Sequence, residues 1–147
     1  MNLIENKERI FSQVAQAMET ANRTDQVNVI AVTKYVGIDQ AKALVDTGVC
    51  HIGENRVDKF LEKYQALKDE GLTWHLIGSL QRRKVKEVIN FVDYFHALDS
   101  MKLAQEIQKR ASHPIKCFIQ VNISGEESKH GFAPEELDAI LPELEGL

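Results

Sequence analysis

Five short apolar runs, each followed by a helix-like stretch, recur along this chain roughly every 20 to 25 residues. They begin at Asn28 (NVIAVTK), Cys50 (CHIGEN), Thr73 (TWHLIGSL), Asp93 (DYFHALD) and Ile115 (IKCFIQVNIS). Between them stand DQAKALVDTG, VDKFLEKYQALKDEG, RRKVKEVINF and SMKLAQEIQKRAS, and APEELDAILPEL follows the last. Strict alternation of this kind requires parallel strands joined by crossover helices. An amphipathic helix precedes the first strand, with Leu3, Ile10, Val14, Ala17 and Met18 on one stripe, and ends near Asn22. The punctuation agrees. Asp39 is placed to cap the second helix and Gly48 to stop it, Gly71 closes the third, Ser100 starts the fifth, and Pro134 opens the last.

Two architectures accept this alternation, an open doubly wound sheet and a (β/α)8 barrel. No glycine-rich fingerprint follows the first strand, which argues against dinucleotide binding. Polar residues instead crowd the C-terminal strand ends: Lys34, Glu54 and Asn55, His75 and Ser79, Asp99, Asn122. In a barrel, groups from several strands converge on that rim. The expected fold is therefore α/β, a partial (β/α)8 TIM-type barrel. It comprises about the first five strand–helix units after an N-terminal helix, with the C-terminal strands missing. Residues 1–147 are expected to form one barrel domain truncated at its C-terminus, since a full barrel needs about 200 residues or more.

A formal net charge of −4 and 44% hydrophobic residues are ordinary for a globular domain. They give no electrostatic reason to expect nucleic acid or an acidic membrane as partner. No apolar stretch approaches the roughly 18 residues of a spanning helix. The N-terminus carries charge from its fifth residue and lacks a signal-peptide core, so a cytoplasmic location is expected. Cys50 and Cys117 lie far apart in apolar surroundings and are expected to be buried free thiols.

Each rim residue admits two readings. Val29 to Val32 form a continuous apolar run, the pattern of a strand buried on both faces, yet it ends in Lys34. That lysine is either an exposed cation or a nucleophilic amine able to condense with a carbonyl. Asn55 either caps the helix starting near Arg56 or meets a ligand beside Gly53, where the missing side chain permits close approach. His75 is either a satisfied core histidine or a catalyst; it and Trp74 point to opposite faces, so only one faces the barrel interior. The basic run Gln81 to Lys84 is a solvated face or an attractor of anions. The loop after Asn122 is a surface connection or a binding loop.

Taken together, AVTKY, HIGENRVDK, WHLIGSLQRRK and VNISGEESKHGF resemble, in order and from Val29 to Phe132, the successive motifs of the pyridoxal-phosphate homeostasis family. These are single-domain relatives of the N-terminal barrel of alanine racemase. The resemblance implies that pyridoxal 5′-phosphate (PLP) is the cofactor and is held as a Schiff base on Lys34. It places Asn55 close to the cofactor ring and the lysine, with His75, Gly78 and Asn122 lining the same cavity. Arg83 departs from the family pattern, which commonly has asparagine there. The resemblance further implies an intracellular carrier that buffers PLP, with PLP-dependent apoenzymes as candidate partners. Negligible racemase activity follows, because alanine racemase takes a catalytic tyrosine from a second domain. The family's later motifs, which supply the phosphate cradle and the partner of the pyridine nitrogen, are absent from these residues. Two alternatives remain: a fold-type III PLP-dependent amino-acid racemase or decarboxylase, and a barrel using Lys34 as an aldolase-type nucleophile without cofactor. An open barrel edge is expected to promote self-association.

Overall fold

The computed structural model describes residues 2–147. Its five strands are β1 (Ala31–Val32), β2 (His51–Glu54), β3 (Thr73–Leu76), β4 (Tyr94–Leu98) and β5 (Lys116–Ile119). They form one sheet in sequence order, and every neighbouring pair is parallel. Helix α1 (Leu3–Thr20) precedes the sheet. The crossovers are α2 (Ile38–Val45), α3 (Val57–Leu67), α4 (Val85–Val88, flanked by 3-10 turns) and α5 (Met101–Arg110), and α6 (Leu137–Glu145) follows β5. This is the partial barrel that the alternation predicts.

Burial follows strand parity. Ile52, Trp74, Leu76 and Phe95 point towards the helices and are almost wholly buried with Phe60, Val85, Val88 and Ile89. Trp74 meets Phe60 and Tyr64 edge-on at 5.6 and 5.2 Å between ring centroids. The other face presents Val32, Gly53, His75, Tyr94 and Lys116, which are successive register partners across the five strands. This is the lumen side. The Ser100 hydroxyl accepts from the Leu103 N–H at 3.1 Å and starts α5, while Gly71 ends the turn after α3 at φ +71°, as expected of both.

Four expectations need correction. The first strand is only two residues long, and Val32 is 50% exposed rather than buried on both faces. β1 is an edge strand, and no opposing strand covers its lumen side. Cys50 is exposed and Cys117 half-buried, because both sit at the periphery where strands begin. Helix α1 buries no residue completely, and Leu3 and Ile10 are 41% and 44% exposed. Finally, Gly37 rather than Asp39 stands at the start of α2, and Asp39 falls within its first turn. There it faces the positive end of the helix dipole without capping it.

Candidate functional site at the C-terminal rim

The chain leaves β1 through Thr33, whose N–H donates to the Gly53 carbonyl at 3.0 Å and extends the register one residue beyond the strand. Val36 N–H then donates to the Thr33 carbonyl at 3.2 Å, so Lys34 sits at the start of a tight turn. Thr33 faces the helices and is 1% exposed. Its hydroxyl donates to Glu54 Oε2. Lys63, rising from α3, donates to that same oxygen at 2.8 Å and to the Thr33 carbonyl at 2.9 Å. The two charged side chains are 3% and 1% exposed, and Glu54 Oε1 has no partner. Two strand ends and one helix are thereby tied together just below the rim.

Parity turns Lys34 the other way. Its side chain is exposed, with Nζ 5.1 Å from the centroid of the Tyr35 ring. It borders a hollow of about 310 Å3 lined also by Tyr35, Glu54, Asn55, Arg56 and Lys59. Arg56 is paired with Asp58 at 2.8 Å and Lys59 with Glu62 at 3.6 Å, both in solvent. Lys34 has no acidic partner among the described residues. A primary amine beside two further cations and a carboxamide can receive a small anion that carries a carbonyl group.

Asn55 is half-buried in this hollow and does not cap α3, whose N-terminal cap is Arg56 without a side-chain bond. Gly78 stands directly behind it: a Cβ at position 78 would lie 2.3 Å from the Asn55 carbonyl oxygen. Gly78 therefore sets the position of Asn55 through backbone contact. Gly53 does not open space for a ligand as expected, because Ile77 Cδ1 and Ile30 Cγ2 already fill that space, 2.8 and 3.1 Å from where its Cβ would stand.

His75 occupies the lumen face, as parity requires once Trp74 faces the helices. It is 3% exposed and both ring nitrogens are engaged. Nε2 lies 3.0 Å from His51 Nδ1, and Nδ1 lies 2.9 Å from His96 Nε2. The Tyr94 ring stacks on it at 4.7 Å. Burial, then the neighbouring His96 and His51, lower its pKa from 6.5 to about 4. Burial also lowers that of His96. Asn122 is committed elsewhere. Its amide donates to the Glu126 carbonyl at 2.8 Å, and its oxygen accepts from Ser124 Oγ and Gly125 N–H at 3.2 Å, folding its own loop.

The structure thus joins Lys34 and Asn55 in one hollow with Gly78 supporting them, and sets His75 and Asn122 in separate networks. Lys63, His51 and His96 went unnoticed in the sequence. Lys63 was detectable: it lies three residues after Phe60 and four before Leu67, on the buried stripe of α3. His51 and His96 share strand parity with His75, but only the register brings the three rings together. Among the described residues, no group of three or more His, Cys, Asp or Glu is placed to hold a metal ion, and no helix is long and apolar enough to cross a membrane.

Five parallel strands with helices on one face, and an exposed amine at the C-terminal rim of the first strand, define a partial α/β-barrel domain. The chain belongs to the family of the alanine racemase N-terminal domain, whose model matches residues 6–147. It is 40% identical over 144 residues to the pyridoxal phosphate homeostasis protein of Aquifex aeolicus, covering 95% of this chain and 63% of that one. PipY of Synechococcus elongatus PCC7942, solved with PLP bound, superposes with a TM-score of 0.81 at 28% identity, covering 97% of this chain and 64% of that one. Alanine racemase of Corynebacterium glutamicum shares the fold, with a TM-score of 0.59 at 16% identity over 78% of this chain and 33% of that one. The chain spans just under two thirds of the length of the homeostasis protein and of PipY.

Proposed function

We propose that this chain is the cofactor-holding part of a pyridoxal phosphate homeostasis protein, in which Lys34 carries PLP as a Schiff base. The observation that supports it most is the Lys34 amine itself, unpaired with any acid among the described residues and held at a strand end by the buried Thr33–Glu54–Lys63 bonds beneath it. The donor set fits the ligand. PLP offers an aldehyde to the Lys34 amine and polar ring substituents to the Asn55 amide, and its anionic oxygens can reach Arg56 and Lys59 only in competition with Asp58 and Glu62. When bound it supplies an electron-withdrawing ring and a reversible imine linkage. This chain's residues orient the amine and balance negative charge.

The same site supports carriage rather than turnover. Proton transfer at a substrate carbon needs positioned acids and bases. Of the hollow's acids and bases, Glu54 is buried and bonded to Thr33 and Lys63, and Tyr35 is 89% exposed. Arg56 and Lys59 are paired with acids, and Lys34 is the amine that carries the cofactor. Both nitrogens of His75 are occupied by other histidines. PLP-dependent apoenzymes are the proposed recipients of the cofactor. Racemisation of alanine should stay below about 1 per second, the low end of ordinary enzymes.

Spectrophotometry with PLP tests the reading. A new absorption band should appear on mixing, become fixed after borohydride, and be absent in Lys34→Ala. Borohydride-fixed label in the alanine variant would move the attachment to another lysine. Trapping of a plain carbonyl substrate without any PLP band would favour an aldolase-type amine instead.

A further inference from the structure

We propose that His51, His75 and His96 form a proton relay along the lumen face of the sheet, from the N-terminal strand ends to the row that contains Lys34. The three rings lie on β2, β3 and β4 and are joined head to tail by two N···N contacts of 3.0 and 2.9 Å. Among the described residues, no group outside the trio hydrogen-bonds any of the three rings, so no protein partner fixes a tautomer from outside.

A neutral imidazole has one N–H and one acceptor nitrogen. Being neutral, His75 must accept from one neighbour and donate to the other, which leaves two arrangements. In one, all three rings carry the proton on Nδ1; in the other, all carry it on Nε2. Starting from the second, a proton arrives at His96 Nδ1, and His96 passes its Nε2 proton to His75 Nδ1. His75 passes its Nε2 proton to His51 Nδ1, and His51 releases its Nε2 proton. One proton enters, one leaves, and every ring stays neutral. The lowered pKa of His75 agrees with an uncharged carrier.

The ends are suitably placed. His51 borders a hollow of about 370 Å3 at the N-terminal strand ends, with Thr73, Asp93, Tyr94 and Lys116. Asp93 Oδ2 accepts from the Trp74 N–H at 2.8 Å, and Lys116 Nζ lies 3.3 Å from the Tyr94 hydroxyl, so neither charge contacts the rings directly. At the other end, His96 lies against the Phe118 ring at 4.7 Å. The register runs Val32, Gly53, His75, Tyr94 across the sheet, and two residues further along the outer two of these strands stand Lys34 and His96. Lys34 is exposed and stands three strands from His96, about 14 Å at the usual strand spacing, so the ammonium sheds its own proton to water and the relay opens into the lumen at His96.

His75→Gln separates a relay from a packed core. Glutamine offers one donor and one acceptor to the neighbouring rings but passes no proton. Long-range proton–nitrogen NMR spectra of the histidine-labelled 147-residue chain are expected to show His51, His75 and His96 switching together between the all-Nδ1 and all-Nε2 forms, with nitrogen shifts averaged by that exchange. In the glutamine variant, His51 and His96 should lose that averaging. The PLP band should develop at unchanged rate and amplitude, because the exposed Lys34 exchanges its proton with water and not through the histidines. Fixed, unaveraged tautomers in the unmodified chain, or averaging that survives His75→Gln, would overturn the relay. If neither protein develops a PLP band, the Lys34 reading fails, and the nitrogen spectra still decide the relay.

Discussion

Lys63 Nζ lies 2.8 Å from Glu54 Oε2, a buried ion pair set under the strand end that bears Lys34. The pair also holds Thr33 through its hydroxyl and its carbonyl, so each charge has further hydrogen bonds. Breaking such a pair costs far more than its absence would, because the remaining charge is stranded in low dielectric. Lys63→Met should destabilise the chain by about 3 to 5 kcal/mol in urea denaturation. The double change Lys63→Met with Glu54→Leu should recover most of that loss. A single variant as stable as the parent would show that water reaches Glu54.

Stability should fall in mild acid. The unfolded state takes up a proton at His75 near pH 6.5, while the folded state resists until about pH 4. Between those values the unfolded chain binds more protons, so stability rises with pH and is lost as pH falls. His75 should account for roughly 2 to 3 kcal/mol between pH 7 and pH 4. Denaturation of the parent and of His75→Gln at several pH values isolates this contribution; equal slopes would contradict it.

Gly78→Ala should disturb the rim. The new methyl would stand 2.3 Å from the Asn55 carbonyl oxygen, which is backbone and has no rotamer to escape by. Overpacking of this kind costs about 1 to 3 kcal/mol. Thermal unfolding checks the cost, and PLP titration should show weaker binding as Asn55 is pushed from the hollow. Unchanged stability and affinity would mean that β2 and β3 part freely at this point.

The 147-residue chain should self-associate. β1 and β5 are the sheet edges, and Val32 and Phe118 are 50% and 54% exposed on the lumen face. Among the described residues, the continuation of β5 is covered where the returning loop pairs Phe132 with Val121. Light scattering should give a mass above one chain, and PLP should bind more weakly than to a complete homeostasis protein. A monodisperse monomer with equal affinity would contradict both expectations.

Much of this molecule is legible in its residues. The alternation of apolar runs with amphipathic helices determines a parallel sheet with crossovers, because each strand must bury its helix-facing side and each helix one stripe. The position of Lys34 at the end of an apolar run marks the rim, since a lysine there must reach solvent or a partner. The glycine at 71 and the serine at 100 mark their helix boundaries through backbone conformation and capping. All these are local or periodic properties, carried by a few neighbouring residues.

Other features depend on which strands lie side by side. Val32 has the composition of a buried position, but it is half exposed because β1 has a neighbour on one side only. His75 looks like a solitary histidine until the register brings His51 and His96 within 3.0 Å of it. Lys63 reaches Thr33 from 30 residues away, and Asn122 spends its amide on its own loop. Contacts of this kind are fixed by strand register and helix docking, which are properties of the whole packed sheet. The sequence by itself determines the kind of fold and the amine at its rim; the tertiary structure decides what surrounds that amine.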